Sequence, residues 1–188
     1  MKIRTEHLLL RELRLDDLDT LMEMASYPEM HTYEHHSMST EIQVRNYLEG
    51  AISWAGEQPR TRYRMAITIP PSDRMRGRVG LTLNWEEIRE WEIGWHLHYQ
   101  DWGKGYVTEA ARALLGFAFR ELKAHRVVAY CNVHNERSVR VMQRLGMQQD
   151  GRLRQTRWWN GRWVDEFVYA ILEDDFLQAS TLGIEVER

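Results

Sequence analysis

At 188 residues with 43% hydrophobic content, the chain can build one domain with a true core and is too short for two ordinary ones. A formal charge of −3 lacks the basic footprint that phosphate neutralisation requires, so no nucleic-acid partner is expected, and a mildly acidic surface suits basic acceptors. Cys131 is the single cysteine, which excludes an intramolecular disulfide and a cysteine zinc cage; with no apolar leader and no run of about 20 apolar residues, a cytoplasmic protein without membrane contact is expected.

In chain order, residues 7–13 read as a short strand. Leu15-Asp16-Asp17 then caps a helix through Leu18, Leu21, Met22 and Ala25. Ser39-Thr40-Glu41 opens a second helix through Val44, Leu48 and Ile52, and an aperiodic loop lies between the two. Alternation at Tyr63, Met65, Ile67 and Ile69, and again at Val79, Leu81 and Leu83, predicts a hairpin around Pro70-Pro71-Ser72-Asp73. Trp91, Ile93, Trp95 and Leu97 form a further strand, which sets Glu92, Gly94, His96 and His98 on its opposite face. A glycine turn, Gly103-Lys104-Gly105, leads into a helix whose apolar face is Ala111, Leu114, Leu115, Ala118, Phe119 and Leu122. A strand over 127–133 and a helix over 136–145 with Gly146 as C-cap follow, and then a hairpin at Asn160-Gly161. The order predicts an α+β fold on a central mixed sheet, a single domain over 1–178 and a dispensable tail at 179–188.

The glycine turn sits where a strand ends and a helix begins, so it offers free backbone N–H groups and the positive end of a helix dipole to a pyrophosphate. Thr108 stands where a dinucleotide fingerprint needs its third glycine. Gly103-Lys104 also lacks the upstream glycine and following hydroxyl of a Walker loop. On its own, such a turn is as often only a turn.

Its neighbours give it meaning. The strand Glu92-Ile93-Gly94-Trp95, the run Gln100-x-x-Gly103-x-Gly105-Tyr106-Val107-Thr108-Glu109-Ala110, Asn135-x-x-Ser138, Leu145-Gly146-Met147 and the final Asn160-Gly161 hairpin backed by Asp165 occur in a characteristic order and spacing. Together they resemble the GNAT family of acetyltransferases over nearly the whole chain, in the branch of the Rim-type (RimJ/RimL-like) ribosomal-protein N-terminal acetyltransferases. The resemblance implies the acyl-CoA N-acyltransferase fold, a mostly antiparallel sheet flanked by helices and splayed where acetyl-CoA wedges in. It implies that Gln100, Gly103, Lys104, Gly105, Tyr106, Val107 and Thr108 hold the coenzyme pyrophosphate, that the backbone of Leu97, His98 and Tyr99 pairs with the pantetheine arm, and that Asn135 holds that arm from the neighbouring strand end. Acetyl-CoA as cosubstrate and direct attack in a ternary complex follow from it.

An amine acceptor is mostly protonated near neutral pH, its ammonium having a pKa of about 10.4, so a base must take its proton. Glu92 is the first candidate, with pairing to an arginine as its ordinary alternative. His96, on the same strand face, is the other candidate base. Backbone N–H groups near Leu97 could stabilise the thioester oxygen. A tyrosine that many family members place seven residues after the Asn is absent, Met142 standing there. Ser138, the Rim-type counterpart, is therefore the candidate to assist the departing thiolate, unless its hydroxyl caps the helix. Arg157 replaces a Glu that some Rim-type enzymes carry three residues before the Asn-Gly turn, so the acceptor is expected to differ. Tyr33, Glu34, His35, His96 and Arg157 are the expected acceptor-site residues, and Trp158, Trp159 and Trp163 form either an aromatic wall or a packed corner.

No metal is expected, since Cys131-x-x-His134 supplies only two ligands. Cys131 reads as a small buried hydrophobe rather than a covalent nucleophile. The acceptor is a protein N-terminal amine, or else a small amine such as a polyamine or aminoglycoside. A non-catalytic acyl-CoA-binding domain and a structural interaction protein are the readings from other classes. A homodimer is the expected state if the chain assembles.

Overall fold

Alternating apolar strands and two helical crossovers give this chain one eight-stranded sheet. The computed structural model describes residues 1–33, 40–159 and 161–180. The chain runs β1 (Lys2–Arg4), β2 (Leu9–Glu12), α1 (Leu18–Ser26), α2 (Glu41–Ala55), β3 (Arg62–Thr68), β4 (Met75–Trp85), β5 (Glu90–Leu97), α3 (Tyr106–Arg120), β6 (Arg126–Asn132), α4 (Glu136–Arg144), β7 (Gln148–Trp159), β8 (Arg162–Leu172) and α5 (Glu173–Ser180). The strands lie in the order β1-β2-β3-β4-β5-β6-β8-β7. Every neighbouring pair is antiparallel except β5 and β6, which α3 connects as a parallel crossover. The sheet is mixed and mostly antiparallel, as its sequence implies.

Each sheet face is buried by the helices whose periodicity matches it. Ala111, Leu114, Leu115 and Ala118 of α3 pack into the main core with Val79, Leu81, Ile93, Val127 and Ala129. On the other face, Leu21 of α1 and Val44, Leu48 and Ala51 of α2 close over Ala66 and Met75. Each such Leu, Ile, Val or Met side chain contributes about 1.5–3 kcal/mol of transfer free energy, so the two faces of β3 and β4 are firmly assigned. Thr40 caps α2 by accepting from Gln43 N, and the Gln43 side chain returns the bond to the Thr40 N–H.

The helix α1 starts differently from its sequence signal. Asp17 occupies the N-cap position, but its side chain makes no cap bond. It turns inward instead and accepts from Arg11 Nη1 at 2.9 Å and Nη2 at 2.7 Å. Arg11 is buried, and an unpaired buried guanidinium would cost more than a lost cap. Two further elements have no signal in the hydrophobic pattern. β1 pairs Ile3 with Leu10, and α5 seats Phe176 against Phe119 with ring centroids 4.9 Å apart. Residue 178 falls inside α5.

The feature that positions the site is where pairing stops. β5 and β6 are register partners only at Glu90↔Arg126, Trp91↔Val127 and Glu92↔Val128. Beyond them β5 continues on β4 as far as Leu97, while β6 continues on β8 as far as Asn132. The two strands therefore splay toward their C-terminal ends.

Candidate active site

The splay opens into a cavity of about 670 Å³ whose walls include β5 from Glu92 to Leu97, β6 from Ala129 to Asn132, and the first turns of α3 and α4. His98 N donates to Arg76 O, so even-numbered residues of β5 turn their backbone groups toward β4. Trp95 and Leu97 consequently turn theirs toward the gap. One of these groups is already used: Trp102 Nε1 donates to Leu97 O at 2.8 Å.

The turn before α3 is built by two left-handed glycines. Gly103 has φ +79° and Gly105, the N-cap of α3, has φ +85°; a Cβ on either would meet nothing within 4 Å. Only Gly admits this conformation cheaply, and the open space beside it lets an anion reach the N–H groups of the first turn of α3. Gly103, Gly105, Tyr106, Val107 and Thr108 line the cavity. Asp101 anchors the loop from beneath. It is buried and accepts from Arg76 Nε at 2.6 Å and Lys104 Nζ at 2.8 Å. Burial raises its pKa, but those two bonds and charges outweigh it and the net shift is downward.

Four of the expected coenzyme residues lie elsewhere. His98, Tyr99, Gln100 and Lys104 are not in the cavity wall. A single 3-10 turn, Tyr99–Asp101, carries the chain away from the gap, and the buried His98 packs against Tyr27 and Tyr99. Its Nδ1 accepts from Gln100 N at 3.3 Å, which commits both residues to the turn, and Lys104 is committed to Asp101.

Asn135 and Ser138 do line the cavity, with roles the sequence leaves open. Asn135 is the cap of α4, its Oδ1 accepting from Ser138 N at 3.1 Å. The Ser138 hydroxyl is therefore not the cap. Met142, in place of a tyrosine, is fully buried in the core.

Glu92 faces the cavity, and among the described residues its carboxylate makes no hydrogen bond or ion pair. Burial raises its pKa, the charges of Arg157 and Arg64 pull it back, and Glu166 and Glu90 push it up again; the net shift is upward. His96, the register partner of Arg78, shares this wall. Arg157 also faces the cavity, and its Nε donates to the buried Glu166 at 2.7 Å. Tyr33 lines the cavity and stacks on Trp159 with centroids 6.4 Å apart. Glu34, His35 and Asn160 lie outside the described residues. Trp158 and Trp163 meet edge to face at 5.4 Å, line no part of the cavity and are both more than half exposed, so they form neither an aromatic wall of this cavity nor a packed corner.

Several cavity residues carry no recognised motif. Tyr130, Asn132 and Glu166 share the sheet face of Glu92, because Glu92 pairs with Val128, two residues before Tyr130, and Asn132 pairs with Glu166. Polar residues alternating with Ala129 and Cys131 were the available signal. Arg137, Arg140 and Arg144 recur at helical spacing along the cavity side of α4, and Arg137 lies over the Trp102 ring at 4.0 Å. Cys131 is buried, its thiol pushed up to about 12 by burial and by Glu166. No cluster of three metal-binding side chains occurs among the described residues, and no helix among them is long and apolar enough to cross a membrane.

Comparison with known proteins shows the family and the fold. The acetyltransferase (GNAT) domain family matches residues 7–148. An uncharacterized N-acetyltransferase of Bacillus subtilis, YnaD, is 29% identical over 176 residues, spanning 94% of this chain and 99% of the relative. The crystal structure of a GNAT-family acetyltransferase from Bacillus anthracis superposes with a TM-score of 0.80 at 29% identity, covering 93% of this chain and 99% of that one. RimL, a ribosomal L7/L12 alpha-N-protein acetyltransferase solved in complex with coenzyme A, shares the fold at a TM-score of 0.83 and 20% identity, over 93% of this chain and 99% of that one.

Proposed function

Since the chain belongs to the GNAT acetyltransferase family and is an acetyl-CoA-dependent N-acetyltransferase, we propose that its acceptor is the N-terminal α-amine of a protein, of the ribosomal-protein type. One observation carries the reading of the site. The unpaired edge of β5, the N-terminus of α3 and an unpartnered carboxylate, Glu92, converge on one cavity.

The residues present fit acetyl-CoA, because the left-handed Gly103 and Gly105 leave space where a side chain would stand. Gly103, Gly105 and the first turn of α3 would hold the pyrophosphate, with the arginines of α4 adding positive charge beside it. Trp95 and Leu97 would offer backbone groups to the pantetheine amides, and Asn135 its remaining amide N–H. When bound, acetyl-CoA supplies the acetyl thioester.

Glu92 removes a proton from the acceptor ammonium through water, a task suited to a carboxylate whose proton affinity burial has raised. Backbone N–H groups of the β5 edge face the developing oxyanion. The freed amine attacks the thioester carbonyl and the C–S bond breaks; Ser138, relieved of capping by Asn135, steadies the departing thiolate with a hydrogen bond from its hydroxyl, and the thiolate takes up a proton of the kind the acceptor amine released. No covalent enzyme intermediate is needed, since the buried Cys131 thiol remains protonated at neutral pH.

The relationship to ribosomal-protein acetyltransferases supports the acceptor class. The test is acetyl transfer followed by mass spectrometry, with a panel of N-terminal peptides set against spermidine and an aminoglycoside. Peptide acetylation at the α-amine is the expected result. Transfer to the small amines alone would reassign the acceptor, and coenzyme binding without thiol release for any amine would make the domain a non-catalytic acyl-CoA binder.

A further inference from the structure

On the same sheet face as Glu92, four residues beyond its register partner Val128 on β6, the cavity wall holds a buried hydrogen-bond donor with nothing to donate to among the described residues. Asn132 is 3% exposed, lies in the cavity wall, and its Nδ2 has no partner among the described residues. The orientation of its amide is fixed. Oδ1 accepts from His134 N at 2.9 Å, and a flipped amide would set one N–H against another. An unmet buried donor carries a penalty of about 1–3 kcal/mol, and such groups in native proteins call for a partner supplied from elsewhere.

Its neighbours restrict what that partner is. Glu166 is the register partner of Asn132 across β6 and β8, yet its carboxylate is taken by Arg157 Nε at 2.7 Å and by Thr156 Oγ1 at 3.0 Å. Tyr130 brings a second donor, a hydroxyl, to the same face, held protonated by burial and by the charges of Glu90 and Glu92. Glu92 is the unpaired acceptor on this face, and Glu29 stands at the exposed rim.

We propose that Asn132 Nδ2 receives the carbonyl oxygen next to the acceptor amine, so that the site selects an α-aminoacyl group: an ammonium for Glu92 and a carbonyl for Asn132. A polyamine carries only ammonium donors and methylenes, and would set donor against donor at Asn132. An aminoacyl group satisfies both partners at once. This rests on the proposed acetyl transfer and narrows its acceptor.

The experiment compares two small acceptors that differ at the carbonyl, L-alaninamide and 1,2-diaminopropane, using kcat/KM at saturating acetyl-CoA. Wild type is set against Asn132→Ala and Asn132→Asp, and the ratio between acceptors within each protein is compared across proteins, which cancels intrinsic amine reactivity. Asn132→Ala should lower the alaninamide-to-diamine ratio about tenfold, the loss expected of one hydrogen bond to a buried partner. Asn132→Asp, which keeps the acceptor for His134 N but replaces the donor with a carboxylate, should lower it further by favouring the second ammonium. The KM for acetyl-CoA should not move. An unchanged ratio in both variants, or equal loss for both acceptors with folding and acetyl-CoA KM intact, overturns the proposal while leaving acetyl transfer standing. Absence of turnover with every acceptor in the wild type would overturn the proposed function itself.

Discussion

Replacing Gly105 with Ala separates backbone strain from coenzyme recognition. At φ +85° and ψ −7° the residue sits in the left-handed region, where an L side chain costs about 1–2 kcal/mol. For a chain of this size each kcal/mol lowers Tm by about 2–4 °C, so strain alone predicts a fall of about 2–8 °C. The new methyl would meet no protein atom within 4 Å, so sterics within the protein add nothing. Gly161, with φ +75° and equally open surroundings, is the matched control in the distal hairpin. Coenzyme A at a hundred times its Kd should stabilise wild type by about 2.7 kcal/mol, or about 5–11 °C. In Gly105→Ala the methyl occupies space the pyrophosphate would approach. A tenfold or greater loss of affinity then removes about 1.4 kcal/mol of that effect. Gly161→Ala should lose Tm but keep the full coenzyme-induced shift. Differential scanning fluorimetry with and without coenzyme A reads both quantities. Equal coenzyme-induced shifts in the two variants would refute the placement of the pyrophosphate at this turn.

Glu92→Gln should lower kcat by about 10²–10⁴-fold with little change in KM for acetyl-CoA. Because burial raises the Glu92 pKa, activity in wild type should fall as pH drops through a value above the ordinary carboxylate range, and Arg157→Gln should move that limb higher by removing a compensating charge. The same shift means the folded state holds the Glu92 proton more tightly than the unfolded state. Its charge therefore costs stability above the folded pKa, and Glu92→Gln should raise Tm near neutral pH. Asp101 has the opposite sign: its folded pKa is depressed, so its contribution is present above the unfolded pKa and lost as pH falls through the folded one. Urea unfolding of Asp101→Asn should show a loss below the about 3–5 kcal/mol of a fully buried broken pair, since Lys104 is half exposed. Cys131→Ala should retain turnover, and iodoacetamide should leave native Cys131 unmodified near neutral pH, as its raised pKa requires; rapid labelling with loss of activity would reopen a covalent route.

Much of the fold is legible along the chain because its signals are local. The alternation of β3, β4 and β5, the capping box at Thr40 and the glycines before α3 each fix a backbone conformation from a few adjacent residues. β1 and α5 escape such reading because they are held by distant partners, Leu10 and Phe119. The site divides the same way. Gly103, Gly105, Asn135, Ser138 and Glu92 announce themselves by type and spacing, and the structure brings all five to one cavity. What each side chain is free to do depends on its spatial neighbours. Asp101 takes Lys104 out of the cavity wall, the turn at Tyr99 takes His98 and Gln100, and Asn135 releases Ser138 by capping α4 itself.

By itself the sequence determined most of the element types and the glycine turn before α3, which follow from short-range periodicity and backbone chemistry, and the acetyltransferase resemblance, which rests on motifs in a characteristic order and spacing. Only the tertiary structure decided where β5 and β6 part, and that Asn132 and Glu166, remote in sequence, stand as register partners in the wall of the cavity that Glu92 also lines. The physical reason is that sheet register and the competition of buried polar groups for partners are settled by the whole packed molecule, and no local stretch of chain encodes them.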